Sequence, residues 1–144
     1  MAGKWSHRIV EFEGRHVSVS IDDSYRDAPA ERLALAPRLA RFGVYCTLDA
    51  GAAFWHPDET DTLNSIEGEL LRLCGSEAQG WVTHVACIHT WGVREYYLHF
   101  GGQAELRPVM PELRAAFPDY RIDFDERLDP AWEFYKEWLK RADR

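Results

Sequence analysis

Apolar and polar residues alternate with a period of two from Arg15 to Ile21, where Val17, Val19 and Ile21 oppose His16, Ser18 and Ser20. That is the pattern of a strand with one buried and one solvated face. Trp5 to Phe12 lies just before it across Glu13-Gly14, so the two segments predict an opening hairpin. From Asp22 to Arg38 the chain is rich in Asp, Ala and Pro, and Pro29 and Pro37 leave room for one short helix, AERLALA, in what is mostly a connection. Alternation returns from Arg41 to Leu48, with Phe42, Val44, Cys46 and Leu48 against Tyr45 and Thr47. This is a third strand.

The period then changes. Leu63, Ile66, Leu70, Leu73 and Cys74 recur at helical spacing behind Asp58 or Thr60 as caps, with acids in the first turn and Gly75 as the stop. Trp81 to Phe100, WVTHVACIHTWGVREYYLHF, follows as two strand-like arms around Gly92, and we place this hairpin at the centre of the sheet. A turn at Trp91-Gly92 or over Thr90 to Val93 pairs His89 with Arg94, Cys87 with Tyr96, Val85 with Leu98 and Thr83 with Phe100 on a core-like face. The other face carries Ile88 with Glu95, Ala86 with Tyr97 and His84 with His99. Its mixed character predicts partial cover by other elements or by a second chain.

A second helix is expected from about Glu105 to Phe117, with Pro108 and Pro111 tolerable in its first turn and Pro118 closing it. Tyr120, Ile122 and Phe124 alternate with Arg121, Asp123 and Asp125 as a last strand. Asp129-Pro130 reads as an N-cap followed by proline at the first helical position, opening a helix with Trp132, Tyr135, Trp138 and Leu139 on its stripe. The order is ββ, then βαββαβ, then α. This predicts one α+β domain over residues 1–144: a ferredoxin-like antiparallel sheet with two helices on one face, an added N-terminal hairpin and a C-terminal helix.

Composition narrows the function classes. The 144 residues suffice for one real core, and 17 Lys+Arg against 24 Asp+Glu give a formal charge of −7. An acidic surface argues against nucleic acid or an anionic membrane as the main partner and leaves room for a basic protein. Cys46, Cys74 and Cys87 lack CxxC spacing and sit in apolar runs, as reduced core thiols do. MAGKWSHRIVEFEG has no apolar signal-peptide core, and no uncharged run approaches the ~18 residues of a membrane span. The expected location is the cytoplasm.

Candidate chemistry is sparse. GxSxG, HExxH, P-loop and GxGxxG patterns are absent from the sequence. On a regular strand His84 points away from Cys87 and His89, so that triplet cannot chelate, and His84 with His99 lacks a third ligand. No metal, cofactor or catalytic residue is assigned. Cys87, two residues from His89, reads first as a core thiol and only second as a nucleophile. Glu67 sits on the first long helix, near the sheet or solvated. Phe134 lies well away from Trp132 and Tyr135 at helical spacing, so either the helix is buried on two sides or Phe134 marks a contact surface.

Three segments resemble the bacterial family catalogued as domain of unknown function 695: LNSIEGELL at Leu63 to Leu71, the turn and strand from Thr90 through GVREYYLHF, and DPAWEFYKEWL at Asp129 to Leu139. The family has no established activity, and the resemblance implies a distant likeness in fold to the regulator of ribonuclease activity B, an acidic protein that acts by binding an enzyme. It carries over to Glu67, Gly92, Arg94, Tyr96, Trp132 and Tyr135, where Arg94 paired with Glu67 would fix helix on sheet.

The leading expectation is a non-enzymatic cytoplasmic regulator or inhibitor of a protein partner, such as a basic enzyme or toxin, an immunity-type role included. Its binding residues would be Glu67, Arg94, Tyr96, Trp132, Phe134 and Tyr135. The alternative is a small enzyme or ligand-binding domain with a pocket near Arg94, Tyr96, His84 and His99. A homodimer packed through Tyr97, Ala86 and Ile88 is the third. A concave pocket with convergent polar groups would favour the second, and an exposed apolar or acidic patch the first.

Overall fold

The computed structural model describes residues 3–51, 53–75 and 80–143. Its strands are β1 (Trp5–Phe12), β2 (Arg15–Asp22), β3 (Arg38–Tyr45), β4 (Gly80–Thr90), β5 (Val93–Gly102) and β6 (Arg121–Leu128), and its helices are α1 (Ala30–Leu33), α2 (Thr60–Gly75), α3 (Met110–Ala116) and α4 (Glu133–Ala142). The strands form one six-stranded antiparallel sheet in the order β1-β2-β4-β5-β3-β6. The β4–β5 hairpin is therefore central, as its apolar arms predict. Among the described residues no helix is long and apolar enough to cross a membrane.

Helices cover both faces, α2 and α3 on one and α1 and α4 on the other. Leu63, Ile66, Leu70 and Leu73 of α2 and Leu113 of α3 pack on Phe42, Val44, Tyr96, Leu98 and Phe100. On the opposite face, Leu33 of α1 and Trp132, Tyr135, Trp138 and Leu139 pack on Val17, Val19, Ile21, Val85, Ala86, Ile88 and Tyr97. The face expected to be mixed is thus closed within the chain: Ala86, Ile88 and Tyr97 are 0%, 3% and 8% exposed. A dimer through those three residues is ruled out, because α4 already occupies that ground.

The register of the central hairpin departs from regular pairing at one point. His89↔Arg94, Cys87↔Tyr96 and Ala86↔Tyr97 pair as expected, but a bulge at Val85 makes the next pair His84↔Leu98, followed by Thr83↔His99 and Val82↔Phe100. A bulge adds one residue to one strand and reverses the sides of everything beyond it. Val85 and Ala86 both enter the α4-side core. His84 consequently joins Cys87 and His89 on the α2 side, whereas His99, on the regular β5, stays with Tyr97 on the α4 side, where its ring stacks on Trp132 at 4.0 Å and 5°. The pairs Val85–Leu98, Thr83–Phe100 and His84–His99 are corrected accordingly.

Two other boundaries move for clear reasons. β3 starts at Arg38, since Leu39 and Ala40 bury into opposite cores, and it ends where Cys46 N–H closes on the Gly92 carbonyl at 2.8 Å. Leu48 falls outside the strand and is exposed. α4 begins at Glu133, not Pro130: Trp132 takes a left-handed conformation (φ 57°), and the Asp129 carboxylate caps from farther back, accepting Glu133 N–H at 2.8 Å and Phe134 N–H at 3.2 Å. α2 is likewise preceded by a 3₁₀ turn, Pro57–Glu59, whose N-cap is His56; its Nδ1 accepts the Asp58 N–H at 3.0 Å.

Glu59 ties that turn to the rest. Its buried carboxylate accepts Thr47 N–H (3.1 Å), Leu48 N–H (2.7 Å), the Thr47 hydroxyl (3.2 Å) and the Tyr120 hydroxyl (2.7 Å). Burial alone would raise its pKa, but the four donors outweigh burial and hold it below the ordinary carboxylate value. A depressed carboxyl stabilises the fold above its unfolded pKa, and that contribution is lost as pH falls through the folded one. His84, His89 and His99 act in the same direction: burial pushes each from 6.5 down to about 4, so the unfolded chain takes up their protons first as pH drops below 6.5. The urea midpoint should fall steadily from pH 7 to pH 4. Glu59→Gln should lose about 1–3 kcal/mol at pH 7 and show a shallower decline below pH 5. A midpoint insensitive to pH over that range would contradict both assignments.

Candidate functional site: the Arg94 cleft

A concavity of about 560 Å³ opens on the α2 side of the sheet beside the N-terminal hairpin. Its floor is β1 and β2, contributing Trp5, His7, Ser18 and Ser20, and β4, contributing His84, Cys87 and His89. The wall is one flank of α2: Thr60, Asn64, Glu67 and Leu71 line the cleft at spacings of four, three and four, which puts them in a single stripe. The neighbouring stripe, Leu63, Ile66 and Leu70, seats the helix on β5 and β3. α2 thus stops short of β1 and β2, and their polar side chains face open space.

Arg94 closes the inner end. It is 7% exposed, yet no carboxylate among the described residues comes within ion-pair distance of it. Its Nε donates to His89 Nδ1 at 3.1 Å, its Nη1 reaches the Tyr96 hydroxyl at 3.5 Å, and the guanidinium carbon lies 4.7 Å from the Trp55 ring centroid. The Tyr96 hydroxyl in turn donates to the Leu63 carbonyl at 3.4 Å, and Trp55 is fixed by its indole N–H on Thr60 Oγ1 at 2.8 Å. Accepting from Arg94 requires the neutral His89 tautomer protonated on Nε2. Burial first, and the adjacent Arg94 charge second, keep the ring in that neutral state. Among the described residues Nη2 meets no hydrogen-bond acceptor. The guanidinium is therefore held rigidly, with donor capacity left over.

The other cleft groups are neutral or opposite in charge. His84 donates from Nε2 to the Ala86 carbonyl at 3.1 Å and packs on Trp5 with ring centroids 4.8 Å apart. Glu67 is half-buried and makes no hydrogen bond or ion pair among the described residues. The expected Arg94–Glu67 pair is not formed. Cys87 is half-buried at the cleft, and burial pushes its thiol up to about 12 despite Arg94, which disfavours the thiolate. Native protein at pH 8 should resist iodoacetamide at Cys87 and react there only once unfolded. Prompt alkylation would overturn this.

Of the residues singled out from sequence, Glu67, Arg94 and His84 meet in the cleft, with Tyr96 directly behind Arg94. His99 does not, because regular alternation along β5 puts it on the Tyr97 side, under Trp132. Trp132 and Tyr135 are buried in the α4-side core. Phe134 is half-buried against Tyr97, with ring centroids 4.2 Å apart, and Arg127 lies over its ring. Trp5, Ser18, Ser20 and Asn64 are cleft residues that the sequence did not mark, and Trp55, which stands beside His56 and the acids Asp58, Glu59 and Asp61 of the turn before α2, lines the cleft rather than a metal site. The Thr60-Asn64-Glu67-Leu71 stripe and the polar side of β2 were the available signals.

Fold and cleft together define a mixed α/β protein: an open six-stranded antiparallel sheet with helices on both faces and a hollow of about 560 Å³ at a buried cation. The chain belongs to the family of unknown function DUF695, whose model matches residues 4–140. No curated protein matches it. Among solved structures it is similar to the crystal structure of a hydantoinase/carbamoylase family amidase from Burkholderia ambifaria, at 15% identity and a TM-score of 0.40 over 65% of this chain. The match spans 29% of the amidase chain.

Proposed function

We propose that this protein is a binding domain for a small organic anion, with Arg94 as the anchor. The observation that carries the reading is a buried guanidinium without a carboxylate partner at the inner end of a 560 Å³ hollow. An uncompensated buried charge is expensive to maintain for the fold alone. A carboxylate or comparable oxyanion would supply the missing counter-charge and accept from Nη2. The volume lies within the usual ~300–1,000 Å³ of small-molecule sites, and Trp5, Trp55 and Leu71 offer apolar walls for the rest of the ligand. Titrating ¹⁵N-labelled protein with a library of small carboxylates tests this. Binding should move the Trp55 indole and the Arg94 side-chain resonances together. Acids that perturb neither, at millimolar concentration, would remove the reading.

A second reading is a protein-binding regulator or inhibitor. It is supported by the net charge of −7 and by Trp91, 41% exposed at the tip of the central hairpin beside Phe54 and under Arg15. Phe134, half-buried against Tyr97, contributes less to it than its spacing suggested. A pulldown with Trp91→Ala as the control distinguishes the two readings. We also assign the inner unit β4-β5-β3-β6, with α2 and α3 in its crossovers, to the ferredoxin-like arrangement, extended at its β4 edge by the N-terminal hairpin. Three unbridged cysteines favour a cytoplasmic setting.

A further inference from the structure

Resting on the anion-binding reading, we propose that the ligand is a zwitterion of the α-amino-acid type, its carboxylate on Arg94 and its ammonium facing Glu67. The cleft holds two full charges of opposite sign, and neither is satisfied by the protein. Arg94 has no acidic partner within ion-pair distance among the described residues, and Glu67 has neither a hydrogen bond nor an ion pair there. They are near enough to feel each other, since the Glu67 charge helps to raise the Arg94, Tyr96 and Cys87 pKa values. Yet they do not close into a pair. Arg94 is held back by His89, Tyr96 and the Trp55 ring, while Glu67 projects from the flank of a helix seated by other residues.

A gap between two fixed opposite charges selects its occupant by charge. A simple anion gains Arg94 but meets repulsion from Glu67, and the more so if it is a dianion such as phosphate. A simple cation meets the reverse. A molecule carrying both charges as substituents of one carbon gains both contacts. The side chain of such a molecule would lie toward Leu71, Trp5 and His84, which are apolar or aromatic. This favours aliphatic or aromatic amino acids over charged ones.

Isothermal titration calorimetry with the whole protein tests the inference using the twenty standard amino acids. For leucine and phenylalanine, the panel adds the matched acid without the amine (4-methylpentanoate, 3-phenylpropanoate) and the matched amine without the acid (isopentylamine, phenethylamine). At least one apolar amino acid should bind at least about tenfold more tightly than its acid and its amine. Glu67→Gln should erase the advantage over the acid while leaving the acid bound as tightly or more so. Glu67 makes no contact the fold relies on, so this variant should fold, and the wild-type comparison stands without it. If the matched acids bind as tightly as the amino acids, the zwitterion inference falls and the anion reading survives. Should no acid or amino acid bind at all, both fall.

Discussion

Replacing Trp132 by alanine is expected to destabilise the protein by about 3–5 kcal/mol, the largest loss we anticipate from any single substitution. The indole is fully buried and its N–H is shared between the Leu33 carbonyl at 2.9 Å and the Ala36 carbonyl at 3.0 Å. One face stacks on His99, and Tyr25 and Tyr135 pack around it at 5.2 and 5.6 Å. Truncation would open a cavity among aromatic rings that relax poorly and would remove the donor from two buried carbonyls. Trp132→Phe keeps a ring but loses the donor and should fall between. Urea unfolding decides the matter: a loss below about 1 kcal/mol for the alanine variant would mean that the α4-side core is not organised around this ring.

The second large effect concerns binding. Arg94→Met retains the length of the side chain and removes the charge, and it should weaken any ligand of the cleft by at least about 100-fold, or some 2.7 kcal/mol. Arg94→Lys should recover little. An ammonium cannot serve His89 Nδ1, the Tyr96 hydroxyl and a ligand oxygen at once in the planar fork that the guanidinium provides. Calorimetry on whichever acid binds wild type gives the ratio, and equal affinities would exclude Arg94 as the anchor.

Much of this architecture was legible in the order of the residues. The period-two alternation of β2, the helical spacing of Leu63, Ile66, Leu70 and Leu73, and Gly92 between two apolar arms fixed β2, α2, β4 and β5 and the centre of the sheet. What escaped is the bulge at Val85. Neither Val85 nor Ala86 carries a local signal for it, since both are ordinary strand residues, and only the two-sided burial under α2 and α4 makes the extra residue useful. That one residue shapes the site, because it delivers His84 to the cleft while His99 stays on the opposite face of the regular β5. Distance in sequence hid the remainder. Trp5, Trp55 and Arg94 come from three separate segments, and no spacing rule connects an edge strand, a loop and a central strand. Arg94 itself was marked by the family resemblance, but its lack of a carboxylate partner is a property of three-dimensional surroundings.

The central claim is that Arg94 is kept for a ligand rather than for the fold, and the stability of Arg94→Met without ligand tests it most directly. The account predicts a urea-unfolding free energy within about 1 kcal/mol of wild type, since relief from an uncompensated buried charge offsets the lost contacts with His89, Tyr96 and Trp55. A loss above about 3 kcal/mol, the size expected when a balanced buried charge is broken, would show that the guanidinium holds the structure together and would contradict the account.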